Sequence, residues 1–223
     1  MCFPIHSAGR GDFGIVPSPE TTSDPRFYAV VHDYGMEKTR EREEGVAEVF
    51  VKDVPLKPKL LAEVKSNNYM LNALLTLRAK ELGGSLGIAV SEDGRLHESS
   101  IANVGIVTDD GVFKTPHFDG ILAGTSLKRM HSLIADVLAA GHLNGFEFCD
   151  IYADEALRAS EVIFFGGGFC TPVVELDGKR IGNGCPGDVF KSFDRIMRAD
   201  MVMDFETDNI PYEMFEKSKI TPH

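Results

Sequence analysis

No segment of the sequence concentrates positive charge. Lys and Arg number 23 against 34 Asp and Glu, a net charge of −11 over 223 residues, and the basic residues are scattered. A protein that grips a phosphate backbone needs a dense basic face, so nucleic acid is excluded as a partner class. Apolar runs of membrane-spanning length are missing too, so no membrane association is expected. Residues 1–14 lack a basic stretch followed by an apolar run and do not read as a signal peptide. The expectation is a cytoplasmic protein, with organellar import of a longer precursor left open. Cysteine is sparse: Cys2, Cys149, Cys170 and Cys185 show no CxxC spacing and no histidine at ligand distance. A thiolate metal centre is thereby disfavoured, and free thiols in a reducing compartment are expected. Internal repeats and low-complexity tracts are absent as well.

What remains is ordinary globular material, 43% apolar and 26% charged, long enough for one or two domains. Residues 1–26 are rich in Gly, Pro and Ser and read as irregular. Two β-type runs follow, 26–33 and 46–54, with the mixed-charge run 37–44 between them as a solvated loop or hairpin tip. Pro55 and Pro58 mark a boundary. Leu71, Leu74, Leu75, Ala79 and Leu82 recur at helical spacing over 68–83, and Gly83-Gly84 stops the helix. A strand is expected at 86–90, a turn at Glu92-Asp93-Gly94, an extended stretch to Val107, and a hairpin turn at Asp109-Asp110-Gly111. A second helix fits 126–140, and a short one 153–159. Strands are expected at 161–165 and around 173–181, turning at Asp177-Gly178. A helix at 188–197 precedes an acidic tail. Hairpins with interspersed helices predict a mixed α/β (α+β) fold around a largely antiparallel sheet. The predicted division is a partial N-terminal β subdomain and linker (1–60), a main domain (61–203) and the tail (204–223).

Several short matches carry no weight. Asp12-Phe13-Gly14 lacks the other kinase segments, Arg10-Gly11-Asp12 lacks a secreted context, and Gly166-Gly167-Gly168 lacks dinucleotide-loop spacing. Three pieces are informative together. Lys65, in VKSNNY, stands at the entry of the 68–83 helix. Glu98, in HESSIANV, lies on an extended segment after a turn. Gly124-Thr125-Ser126 opens the second helix. Singly, each has a bland reading: a solvated lysine, a surface glutamate, an N-cap. A lysine amine, a carboxylate and an anion-receiving helix start are together the parts of a pyridoxal 5′-phosphate (PLP) site.

The ordered segments VKSNNYMLNALLTLRAKELGG, GRLHESSIANVGIV, FKTPHFDGILAGTSLKRM and ASEVIFFGGGFCTPVVELDGKRIGNG resemble the class IV, or fold type IV, PLP-dependent aminotransferases. That family includes branched-chain aminotransferases, D-amino-acid aminotransferases and 4-amino-4-deoxychorismate lyases. GRGDFGIVPSP and the KSxNYMxN form look most like the plant-type D-amino-acid aminotransferase or aminodeoxychorismate lyase branch. The resemblance runs from about residue 9 to 197 and implies a D-amino-acid aminotransferase-like fold with an incomplete N-terminal subdomain. It implies that Lys65 forms the Schiff base with PLP and that Glu98 faces the pyridine nitrogen. Thr125 and Ser126 fall on the phosphate-binding pair, and Gly167, within Gly166–Gly168, on a second phosphate and substrate-carboxylate loop. Tyr69 falls near a tyrosine that touches the cofactor, one residue short of the family spacing. Relatives also carry an earlier segment with a phosphate-gripping arginine, and the expectation is that this chain starts after it.

The implied activity is transfer of an amino group between an amino acid and a 2-oxo acid by a homodimer, with small-molecule substrates. Two alternatives stay open: a lyase releasing pyruvate from aminodeoxychorismate, and a truncated, non-catalytic protein of the same fold.

Overall fold

The computed structural model describes residues 2–7, 24, 26–31 and 36–201. The Asp12-Phe13-Gly14 and Arg10-Gly11-Asp12 matches and the 204–223 tail lie outside them. The chain divides into two compact units, residues 1–39 and 40–223.

In the first unit β1 (Cys2–Ser7) pairs antiparallel with β2 (Arg26–Val31), from Cys2 opposite Val31 to Ser7 opposite Arg26. The irregular reading of residues 1–26 is therefore corrected at 2–7. Both strands of a two-stranded ribbon are edges, where Pro4 is tolerated.

The mixed-charge run is a helix rather than a hairpin tip: α1 (Met36–Glu44), with Arg40 Nε 2.8 Å from Glu44 Oε2 one turn on. The β-type run after it forms two short strands, β3 (Val46–Glu48) and β4 (Phe50–Val51). Strand β3 runs parallel to a strand over a hundred residues later, Phe169–Leu176, so no local turn signal exists to read.

Next come α2 (Lys59–Ala62), α3 (Met70–Glu81), β5 (Ile88–Val90), β6 (Leu96–Ser99), β7 (Asn103–Val107) and β8 (Val112–Thr115). In α3 only Leu75 and Ala79 are buried, whereas Leu74 and Leu82 of the expected stripe are exposed. The expected single helix over 126–140 is two, α4 (Thr125–Ser132) and α5 (Ile134–Ala139), meeting at Leu133. The Ser132 hydroxyl donates to Arg129 O at 2.7 Å, a back-bond that bends helices and accounts for the break.

The remaining elements are β9 (Gly145–Phe148), α6 (Ala153–Ala156), β10 (Glu161–Gly166), β11 (Phe169–Leu176), β12 (Lys179–Arg180) and α7 (Asp188–Asp200). Strand β9 was not expected from the sequence. It joins β8 in parallel and has no hairpin turn to announce it.

The large sheet has seven strands, in the order β12-β11-β10-β7-β8-β9 with β3 also on β11, and β4-β5-β6 form a second sheet. Among the described residues, six of the nine strand pairs are antiparallel. Residues of β10 alternate between two cores: Val162 and Phe164 pack with Ile88, Val104 and Ile151, while Ile163 and Phe165 pack with Phe113, Leu127 and Phe193. A strand buried on both faces reads as the unbroken apolar run VIFF. Gly105 on β7 is required by the second core, because a Cβ there would sit 2.1 Å from the Phe113 ring.

Glu161, at the start of β10, accepts the amides of Val189 and Phe190 at 2.9 and 2.8 Å and so caps α7 from outside it. Burial pushes this carboxyl up, and the two amide bonds oppose that rise. Glu161→Ala is expected to lower the unfolding free energy by about 1–2 kcal/mol, as loss of a helix cap does. Glu161→Gln, which keeps an acceptor, is expected to lose less than half of that. Urea denaturation of the two variants checks the order.

Candidate functional site

Four connections of the second unit end around one cavity of about 390 Å³. They are the segment before α3, the bend between β6 and β7, the approach to α4, and the β10–β11 turn. Its walls include Lys57, Lys65, Tyr69, Asn72, Glu98, Ser100, Asn103, Gly124, Thr125, Ser126 and Gly167. That volume lies in the range of small-molecule sites, roughly 300–1,000 Å³. All six positions singled out in the sequence (Lys65, Tyr69, Glu98, Thr125, Ser126, Gly167) thus line the same space, although they span about a hundred residues.

Lys65 is exposed, with its Nζ 4.3 Å from the centroid of the Tyr69 ring. Desolvation lowers the affinity of its amine for a proton, and the like charge of Lys57 adds to the fall, while Glu98 opposes it. Neutral amine, the nucleophilic form, is therefore easier to reach here than on a solvated lysine.

Glu98 is 8% exposed and held at both oxygens. Its Oε1 lies 2.8 Å from Lys57 Nζ, and its Oε2 accepts the Leu122 amide at 3.1 Å. The strand β6 sets its direction, and the Leu122 bond ties it to the loop that leads into α4.

Asn103, the first residue of β7, fixes that loop by donating from Nδ2 to Leu122 O at 2.8 Å. Gly124 then passes so close that a Cβ on it would stand 2.1 Å from Asn103 Oδ1. Helix α4 begins after Gly124 with no side-chain cap, so the Thr125 and Ser126 amides lie uncapped at the positive end of the helix dipole. The Ser126 hydroxyl accepts the Gly168 amide at 2.8 Å, which joins the β10–β11 turn to the helix start. Gly167 and Gly168 carry φ of +60° and +85°, the mirror-image turn that a two-residue hairpin prefers. The Ser100 hydroxyl is buried against the cavity with no partner among the described residues.

Sequence reasoning missed Lys57, Asn72, Ser100 and Asn103. The Asn72 amide donates to Ser100 O and closes the wall between α3 and the β6–β7 bend. Lys57 sits in a Pro-rich stretch that reads only as a boundary, and no local pattern relates it to Glu98. Asn103 and Ser100 lie inside the HESSIANV segment but carry no distinguishing spacing.

Among the described residues no group of three or more His, Cys, Asp or Glu side chains is placed to hold a metal ion. No helix among them is long and apolar enough to cross a membrane. Cys149, Cys170 and Cys185 are free, and burial pushes the Cys170 thiol far up.

Comparison with known proteins bears on this arrangement. The chloroplastic D-amino-acid transaminase of Arabidopsis thaliana is 32% identical over 198 residues, covering 87% of this chain and 51% of that protein. D-alanine aminotransferase of Bacillus licheniformis is 24% identical over 168 residues, 74% of this chain and 56% of that protein. The chain thus spans about half the length of the curated relatives it matches. The Escherichia coli branched-chain amino acid aminotransferase has the same fold, with a TM-score of 0.74 at 24% identity over 93% of this chain and 67% of that one. A PLP-bound hypothetical aminotransferase from Mycobacterium tuberculosis superposes with a TM-score of 0.72 at 22% identity, covering 90% and 68%. The amino-transferase class IV family model matches residues 2–176, and the chain belongs to that family.

Proposed function

We propose that this chain carries the cofactor-binding part of a PLP-dependent aminotransferase, with residues 61–203 as the cofactor-binding region and Lys65 as the lysine that takes the cofactor. One observation carries the reading: a lysine amine, a buried carboxylate and an uncapped helix start face a single cavity from separate walls. The residues fit the group. Two positive side chains and one negative line the space, and the helix dipole adds partial positive charge, which suits a phosphate-bearing ligand. Bound PLP supplies an electron sink for the carbanion left at the substrate's Cα.

The chain's own residues do the rest. Lys65 Nζ would take the proton from the substrate's Cα and deliver it to the cofactor's C4′, a role that needs an amine able to shed its charge near neutral pH. Glu98 presents a fixed carboxylate toward the pyridine nitrogen, its position held by Lys57 and Leu122. Thr125, Ser126 and the α4 amides receive the phosphate, with Gly167 beside them. Tyr69 covers the lysine.

Amino and 2-oxo acids are the proposed substrates. A homodimer is the proposed working unit, because Leu61, Val64 and Ile101 on the cavity rim are 47, 54 and 60% exposed. Light scattering measures that. A reducing compartment such as the cytoplasm is proposed from the free thiols.

Gly124→Ala is expected to raise the PLP dissociation constant about tenfold, some 1.4 kcal/mol, because Asn103 must swing out of its bond to Leu122 O. A PLP titration reads this, and an unchanged affinity places the phosphate elsewhere. The activity itself is tested by incubating PLP-loaded protein with amino donors and a 2-oxo acid. New amino acid formed in step with consumed donor supports the reading. Pyruvate release from aminodeoxychorismate without an acceptor would make the protein a lyase, and inertness in both assays would leave a non-catalytic member of the family.

A further inference from the structure

Among the described residues, three charged side chains line the cavity: Lys57, Lys65 and Glu98. Resemblance accounts for two of them. Lys57 lies on the irregular segment between β4 and α2, flanked by Pro55 and Pro58, which limit the backbone freedom of that stretch. Its side chain is 21% exposed and that of Glu98 10%, so their 2.8 Å pair is largely removed from solvent. Lys57 and Glu98 also form part of the wall of a second, small cavity of about 30 Å³, lined by Leu71, Leu75 and His97 among others. The ion pair is therefore shared by the walls of both spaces.

We propose that Lys57 is a positioning residue of this site, whose ammonium anchors the Glu98 carboxylate and opposes positive charge on Lys65 across the cavity. The proposal rests on the PLP reading only for its purpose, since the charge arrangement exists in the chain alone.

Physical chemistry gives the direction. A like charge close to an amine disfavours its protonated form, and an opposite charge favours it. Lys57 acts on Lys65 in both ways: directly by repulsion, and indirectly by satisfying the carboxylate that would otherwise attract the Lys65 ammonium. Among the described residues, the charged groups acting on Lys65 are Lys57 and Glu98, and the Tyr69 ring covers its Nζ. His97, next to Glu98 on β6, is held toward its neutral form by burial and by Arg95. Without Lys57, both effects lapse together, and the amine of Lys65 keeps its proton to higher pH.

The test needs no cofactor. Trace acetylation of the apo-protein with acetic anhydride from pH 7 to 11, mapped by mass spectrometry, reports the neutral fraction of each lysine, with exposed Lys179 as internal reference. In Lys57→Met, Lys65 is expected to label at least about threefold more slowly at pH 8 than in the wild type, its profile moving up toward Lys179. Lys57→Arg keeps the charge and is expected to retain most of the wild-type profile. Circular dichroism checks folding, and Lys57→Gln serves the same purpose if the methionine variant fails to fold.

An unchanged Lys65 profile in the neutral variants overturns the proposal. So does a shift in Lys57→Arg as large as in Lys57→Met, because packing and not charge would then be responsible. The same preparations, titrated with PLP, separate this failure from that of the cofactor reading. Wild-type protein that shows the Lys57-dependent profile but takes no PLP keeps the charge coupling and loses the proposed function. PLP uptake by every variant with unchanged labelling does the reverse.

Discussion

Replacing Lys65 with alanine is expected to lower amino transfer by about three orders of magnitude or more while leaving the fold intact. On the proposed function, the replacement removes both the group that moves the Cα proton, a role worth roughly 10²–10⁴ by itself, and the cofactor's covalent anchor. The small structural effect follows from its surroundings. Lys65 is exposed, precedes α3 rather than lying in it, and rests its Nζ against the Tyr69 ring. Surface replacements of that kind stay within about 0.5 kcal/mol. Steady-state assays and a urea melt on the same preparation measure both quantities. Activity within about tenfold of wild type would remove Lys65 from the chemistry, and a large stability loss would mean that the lysine is structural.

Glu98→Gln is expected to reduce turnover about a hundredfold, the scale on which removal of one preorganised electrostatic partner acts. The amide preserves shape and can still accept the Leu122 N–H, but it cannot offer a charge to a pyridine nitrogen. Stability falls as well, because Lys57 is left without its partner in a partly buried position. The cost stays below about 2 kcal/mol, since the Lys57 side chain retains 21% exposure and water can reach it. The double variant Lys57→Met/Glu98→Gln separates the two effects: it is expected to recover stability and not turnover. Full activity in Glu98→Gln would mean that the carboxylate only holds the wall together.

What the sequence makes legible, and what it hides, follows from the distance over which each feature is determined. Helix α3 declares itself through Leu75 and Ala79 and the Gly83-Gly84 stop. The β11–β12 hairpin does so through Asp177 and Gly178, whose φ of +50° and +71° suit the residue types present. These are local matters. Parallel pairings are not: β3 on β11 and β9 on β8 join segments without a connecting turn, so short strands such as GFEF read as loop. Helix α1 escaped for another reason, since a run with almost no apolar residues shows no periodicity to detect.

The site divides in the same way. Lys65 lies in the segment leading into α3, Glu98 near the end of β6 and Thr125-Ser126 at the start of α4, where sequence punctuation is visible, and their order matches a family pattern. Lys57 and Asn103 act through single long-range bonds, to Glu98 across 41 positions and to Leu122 across 19, and no spacing rule records such bonds. The partner of a buried carboxylate is a property of the folded chain.

The most direct test of the central claim is reductive trapping. PLP-loaded protein is treated with borohydride, digested, and mapped by mass spectrometry for the pyridoxyl adduct. The adduct is expected on Lys65 in the AEVKSNNY segment, with Lys57 unmodified because it is held in the Glu98 ion pair. An adduct on Lys57 or on any other lysine alone, or no adduct after saturation with PLP, would contradict it.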